Sequence, residues 1–245
     1  MLKKILLLAA TLMLAAGLVG CADGPDSEGT TVTSGASATT GAPVTTETPT
    51  TSTTTTGGAT TTATTDRPTP STTIIAPEDL QPIVAPTLPE VIPGYTEEDP
   101  ATGLHMTGTP KEIDLGSYRL KVSGKVSTPL SLTYDELRLL PKMTATPTIV
   151  CPGFFKDTTT WSGVPLTTLL DMAGVQPDAQ RIKMLAADGY SIALKLEDAL
   201  APGNFLAYEW RGQPVPALHG FPLRAVFPDE TGSFWVKWLL EIVVE

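Results

Sequence analysis

The sequence is poor in the residues that build a core over its first half. Of 15 aromatic side chains, 14 lie after Glu112 and the other is Tyr95. Between positions 30 and 73, 22 of 44 residues are threonine, and nearly all the rest are Gly, Ala, Ser, Pro or Val. Such a stretch cannot bury enough apolar surface to offset the entropy of ordering it. Basic residues are also few, 16 against 26 acidic ones. Residues 22–111 carry a net −9 and residues 112–245 a net −3. That balance excludes nucleic acid as a partner of the whole chain. Cysteine occurs only twice, at 21 and 151.

Nor is there an apolar run long enough to span a bilayer comfortably, which takes about 20 residues. The longest, residues 5–18, follows Lys3 and Lys4, is interrupted by Thr11 and Gly17, and closes with Leu18-Val19-Gly20-Cys21. The small Gly20 before Cys21 suits a processing peptidase. The pattern resembles a bacterial lipoprotein signal, residues 1–20. The resemblance implies cleavage before Cys21, lipid on its sulfur, and a protein anchored to the extracytoplasmic face of the cell membrane without crossing it. Residues 21–111, Thr-rich and then Pro-rich, read as a disordered tether that holds the rest away from the membrane.

What remains, residues 112–245, is enough for one domain of ordinary size. Residues 117–126 alternate in places and read as a strand bent at Gly124. Thr133-x-x-Glu136 has the spacing of a capping box, predicting a short helix that stops before Pro141; Arg138 on it reads as a solvated charge. Residues 146–150 are β-branched and deliver Cys151 to a Pro-Gly turn. Pro165 fits the first turn of a helix with an apolar face of Leu166, Leu169, Leu170 and Ala173 and a cap at Gly174. Further strands are predicted at 181–186, 191–196, 205–209, 223–227 and 235–244, the last with Val236, Trp238, Leu240, Ile242 and Val244 on one face. The fold class is α+β, mainly strands with two or three short helices.

If Cys21 is lipidated, Cys151 is the only thiol of the mature chain, unpaired in an oxidising compartment. Such a cysteine is either a small inert hydrophobe or a group presented to a cleft. A second cluster comprises His219-Gly220-Phe221-Pro222-Leu223-Arg224 and Trp235-Val236-Lys237-Trp238. Its imidazole, guanidinium and ammonium suit a phosphate-bearing anion, although basic residues at strand ends also commonly face solvent.

In order, Cys151-x-Gly153, Trp161-Ser-Gly-Val-Pro-Leu166, Ala173-Gly174-Val175, Asp188-Gly189-Tyr190-Ser191, Leu206-Ala207-Tyr208, Gly212-x-Pro214-x-Pro216, His219 to Arg224 and Val236-Lys237-Trp238-Leu239 resemble the oxidoreductase molybdopterin-binding domain. This is the fold of sulfite oxidase and of the methionine sulfoxide reductase catalytic subunit, and the resemblance covers the whole folded part. It implies that Cys151 binds molybdenum, a soft ligand on a redox metal. It further implies that His219 and Arg224 contact the pterin and its phosphate, and that Lys237 with the backbone of Trp235 and Val236 closes the same pocket. The implied activity is oxygen-atom transfer on a small-molecule substrate, with electrons exchanged with a haem or quinone-linked membrane partner.

Three departures accompany the resemblance. Where sulfite oxidases carry Cys-x-Gly-Asn-x-Arg, this chain has Cys151-Pro152-Gly153-Phe154-Phe155-Lys156, an apolar run that disfavours sulfite and leaves a neutral, sulfoxide-type substrate. Of an Arg-Asn-His-type contact ahead of the first strand, only His105 is present. Lys3-Lys4 stands where folded export of a cofactor enzyme calls for an arginine pair. The alternative reading is a non-enzymatic surface module that keeps the fold and binds another ligand without molybdenum.

Overall fold

The computed structural model describes residues 72–245. The signal segment, Cys21 and the Thr-rich stretch to Ser71 lie outside the described residues.

Two sheets carry the domain. In the first, Thr72–Thr73, Lys142–Ala145, Trp161–Pro165, Phe205–Trp210 and Gln213–Pro214 pair in that order, and Arg224–Val226 also pairs with Phe205–Trp210. In the second the order is Ser191–Lys195, Arg181–Ala186, Leu239–Val244, Leu120–Gly124 and Leu130–Leu132. The Leu239–Val244 and Leu120–Gly124 strands run parallel; the other neighbours are antiparallel. Two hairpins stand apart, Glu98–Asp99 with Leu104–His105 and Thr148–Cys151 with Phe155–Thr158. The fold is α+β and mainly β, as the sequence pattern predicts.

The helices form where the local chemistry places them. Tyr134–Leu139 opens on the full capping box, Thr133 accepting from the Glu136 N–H while Glu136 reaches back to the Thr133 N–H. In Leu166–Ala173, the i, i+3, i+4, i+7 face of Leu166, Leu169, Leu170 and Ala173 is buried, and Gly174 closes the helix in a left-handed conformation. Pro165 is the N-cap of this helix rather than part of its first turn. These faces and the inward residues of both sheets, among them Val122, Ile182, Ile242, Val164, Phe205 and Ala225, make one contiguous core.

Four sequence expectations are corrected. Arg138 is buried, holding Asp135 and the Gln81 carbonyl over the Tyr134 ring. The last strand starts at Leu239, because Trp238 has φ +50°, outside the β region. Within that strand Leu240 is exposed while Leu239 is fully buried, because the pairing with Arg181–Ala186 slips by one residue at Leu185/Ala186 and displaces Leu240 from the inner face. Ahead of Glu112, residues assigned by composition to the tether pack onto the domain: Leu104 and Met106 are buried in core clusters, and Ile83 packs against the core.

Candidate cofactor and active site

Cys151 ends its strand opposite Phe155, and the Phe154 N–H donates to the Cys151 carbonyl in the turn between them. The sulfur is half-buried against Gly232, where any Cβ would collide with Sγ. The basic cluster is assembled by two segments lying side by side. Ala225 N–H donates to the Val236 carbonyl, Leu239 N–H to Leu223 and Trp238 N–H to Gly220. Gly220 makes the approach possible: it has φ +113°, and a Cβ there would stand 3.0 Å from Arg224 Cβ and 3.1 Å from Lys237 Cα.

Arg224 and Lys237 are both buried, and among the described residues neither has an ion-pair partner. Arg224 Nη1 donates to the His219 carbonyl at 3.0 Å, its guanidinium lies 4.5 Å over Trp161 and 5.7 Å over Trp235, and its Nε has no hydrogen-bond partner among the described residues. Lys237 Nζ donates to the Thr107 and Leu218 carbonyls at 2.9 and 3.2 Å. Burial pushes the Arg224 guanidinium down to about 10. Burial, then Arg224 beside it, holds Lys237 well below the usual lysine range. Two desolvated cations with no ion-paired carboxylate among the described residues and an unmatched N–H are costly unless an anion joins them.

His219 does not add a third charge. It is buried with Nε2 3.0 Å from Asp99 Oδ2 and 2.9 Å from Thr102 Oγ1. Burial, then Lys237 and Arg224, pushes its pKa down to about 3, so it is a neutral imidazole at physiological pH. Trp235 and Val236 line the cavity, but their N–H groups are already bonded to the Gly232 and Phe234 carbonyls.

Two cavities meet here. One, of about 460 Å³, is bordered by Cys151, Phe154, Phe155, Tyr95, Tyr190, Trp238 and Lys237. The other, of about 20 Å³, is bordered by His105, Asp157, Trp161, His219, Arg224 and Lys237. They share Thr107, Phe155, Gly232, Trp235 and Lys237 as walls. Phe154 and Tyr95 are each 72% exposed, giving the larger cavity an aromatic rim. Lys156 points away: the hairpin alternates with Phe155 and Asp157 inward, and Lys156 is exposed and borders neither cavity. Burial and Asp157, against the pull of Lys237 and Arg224, raise the Cys151 thiol.

Several residues here escaped sequence reasoning. Asp157 receives the His105 N–H at 2.8 Å and its ring Nδ1–H at 2.7 Å, and His105 stacks on Phe155 at 4.5 Å. The signal for Asp157 was its place two residues after Phe155 in a strand, on the inward side. Asp99 and Thr102 lie in a Pro-rich stretch, and nothing local marks them.

The donor set fits a phosphate-bearing metal cofactor: unpaired buried cations near a single thiol. Among the described residues no three His, Cys, Asp or Glu side chains cluster as a metal site. A metal at Cys151 would therefore take its other ligands from the group that carries it.

Such a fold and site define a cofactor-dependent oxidoreductase domain. The oxidoreductase molybdopterin binding domain family matches residues 106–245, more than half of the chain, and the chain belongs to that family. It is 34% identical over 161 residues to a putative protein-methionine-sulfoxide reductase subunit YedZ1 of Azospira oryzae, covering 66% of this chain and 61% of that one. It is 32% identical to the mitochondrial sulfite oxidase of Drosophila melanogaster, covering 54% of this chain and 28% of the relative. Among solved structures, the sulfane dehydrogenase SoxCD of Paracoccus pantotrophus superposes with a TM-score of 0.52 at 27% identity, covering 55% of this chain and 40% of that one. The chain thus spans less than two thirds of each of these proteins.

Proposed function

We propose that this protein is a membrane-anchored, extracytoplasmic molybdopterin-dependent oxidoreductase that moves an oxygen atom on a small neutral substrate of sulfoxide type. The observation that carries this reading is the placement of Cys151 and the two unpaired buried cations, Arg224 and Lys237, on cavities that share walls.

In this reading Cys151 holds the metal as a thiolate, while Arg224 offers a planar fork and Lys237 a point charge to the cofactor phosphate. Trp235 and Val236 wall the cavity beside them. When bound, the cofactor supplies a metal that changes oxidation state by two electrons as an oxygen atom is transferred. Phe154, Phe155, Tyr95 and Trp238 exclude water near Cys151 and favour an uncharged substrate over an anion. Lys156, facing away, offers such an anion nothing. The relative named as a protein-methionine-sulfoxide reductase subunit supports the same substrate class. Electrons would pass to or from a haem or quinone-linked membrane partner.

Metal and pterin analysis of protein purified from its own membranes tests this. One molybdenum and one pterin per chain are expected, with the metal lost in Cys151→Ser while the fold survives the nearly isosteric change. Cys21→Ala should leave the protein unprocessed or release it from membranes. Wild-type protein free of molybdenum, with Cys151 open to alkylation, would overturn the cofactor reading. Stabilisation of that protein by another phosphate-bearing ligand would instead support a non-enzymatic binding module, the alternative raised by Lys3-Lys4 in place of an arginine pair.

A further inference from the structure

His219 borders the smaller cavity beside Arg224 and Lys237, yet its own polar contacts lead to the Glu98–Asp99 and Leu104–His105 hairpin, ahead of the residues that match the family. Asp99 is 5% exposed. Its Oδ1 accepts the Ala101 N–H at 3.0 Å, and its Oδ2 accepts the Thr102 hydroxyl at 2.7 Å. That same Oδ2 stands 3.0 Å from His219 Nε2, and Thr102 Oγ1 stands 2.9 Å from it.

The hydrogen bookkeeping permits one arrangement. Thr102 has a single hydroxyl proton, and it is spent on Asp99, so toward His219 the oxygen can only accept. A carboxylate oxygen can also only accept. Two acceptors facing one nitrogen require that nitrogen to carry the hydrogen. Asp99 stays ionised for this purpose: burial opposes the charge, but the bonds from Thr102, Ala101 and His219 hold its carboxyl below the usual range. With Arg224 and Lys237 also facing the ring, a second ring proton would add a third positive charge to a buried cluster. Nδ1, the other ring nitrogen, has no hydrogen-bond partner among the described residues.

We propose that Asp99, its carboxylate held by Thr102, is the positioning residue that locks His219 as the neutral Nε2–H tautomer, so that it meets a bound pterin through Nδ1 as a hydrogen-bond acceptor. The inference rests on the reading that this site takes a pterin, and it divides the labour within the site. A bare Nδ1 and a phosphate oxygen are both acceptors and repel, so His219 faces an N–H group of the heterocycle. Arg224 and Lys237 alone supply charge to the phosphate. A segment that composition assigns to the tether thereby sets the hydrogen-bonding polarity of the cofactor site.

The chain contains only two histidines, so ring-nitrogen NMR of the full-length protein labelled with ¹⁵N-histidine resolves both. His105, whose Nδ1 faces Asp157, is the internal contrast, and His105→Gln assigns the two sets. The expected wild-type spectrum shows His219 protonated at Nε2 and bare at Nδ1, unchanged between about pH 5 and 8. Asp99→Asn can donate its amide N–H to Nε2 and should move the proton to Nδ1, lowering pterin affinity about tenfold, the scale of one hydrogen bond replaced by a mismatch. Thr102→Val leaves Asp99 in place and should keep the tautomer. A wild-type His219 that is an imidazolium or carries its proton on Nδ1 overturns the lock, whatever the folding of any variant. Unchanged pterin content in an Asp99→Asn protein with a switched tautomer overturns the assigned use of Nδ1 and leaves the cofactor reading standing. Wild-type protein without pterin overturns the cofactor reading, while its spectrum still decides the lock.

Discussion

The Arg224 guanidinium lies 4.5 Å over the indole of Trp161, and this stacking holds the cation in the interior without using its N–H donors. A carboxylate in place of Trp161 would neutralise the charge and compete with any incoming phosphate. An aromatic face offsets part of the desolvation by cation–π attraction and leaves Nε free to donate. Arg224 thus keeps an unmatched donor and a charge with no ion-pair partner among the described residues, both of which an anion can take up.

Cofactor retention should therefore depend on the shape of this cation as well as its charge. Arg224→Lys keeps the charge but loses the fork and the stacked plane, and should weaken pterin retention by about tenfold or more; Arg224→Ala should weaken it further. Lys195→Ala, at a side chain 74% exposed, should leave retention unchanged. Pterin released per mole of each purified variant measures this, and equal values throughout would make the cluster irrelevant to the cofactor.

Acid sensitivity should trace to His219. Its pKa falls from 6.5 to about 3 on folding, so between these values the unfolded chain binds a proton that the folded chain does not. Stability consequently rises with pH across that window and is lost as pH falls through it, with a slope of at most about 1.4 kcal/mol per pH unit for one proton. Asp99, also held low, adds a loss of the same sign only as pH drops below its ordinary value of 3.8. Denaturant titrations at a series of pH values should show a shallower slope above about pH 4 in His219→Gln. An unchanged slope would place the sensitive group elsewhere.

Tyr208 offers a stability test away from the site. Its hydroxyl is buried without a hydrogen-bond partner among the described residues, and burial raises its pKa, while its ring packs edge-on to Tyr134 at 6.3 Å. Tyr208→Phe keeps the ring and removes the unmatched group, so thermal unfolding should be unchanged or stabilised by up to about 1 kcal/mol. A loss of that size would show that the hydroxyl is bonded in solution.

Limited proteolysis should stop upstream of Asp99 rather than near Glu112. Asp99 is tied to His219, the Met106 N–H and carbonyl bond Glu97 and Thr96, and Lys237 holds the Thr107 carbonyl. Mass spectrometry of the resistant core should find residues 95–111 in it. A stable core that begins at Glu112 and retains pterin would refute the role given to the hairpin.

Read alone, the sequence determined the features that depend on near neighbours. The Thr133/Glu136 box, the buried face of Leu166–Ala173, the Arg181–Ala186 strand and the delivery of Cys151 to a turn all follow from spacing along a few residues, which backbone geometry converts directly into helix faces and strand alternation. The order of motifs from Cys151 to Lys237 marked the family for the same reason. Tertiary structure alone decided what those residues are electrostatically. His219 meets Asp99 across 120 positions and His105 meets Asp157 across 52, and both acids come from segments whose local pattern carries no sign of the pairing. The charge of a buried imidazole or the exposure of Arg138 depends on desolvation and on partners brought in by long-range packing. The one-residue slip at Leu240 and the turn at Trp238 likewise answer to the neighbouring strand and loop, which period-two alternation within one strand does not record.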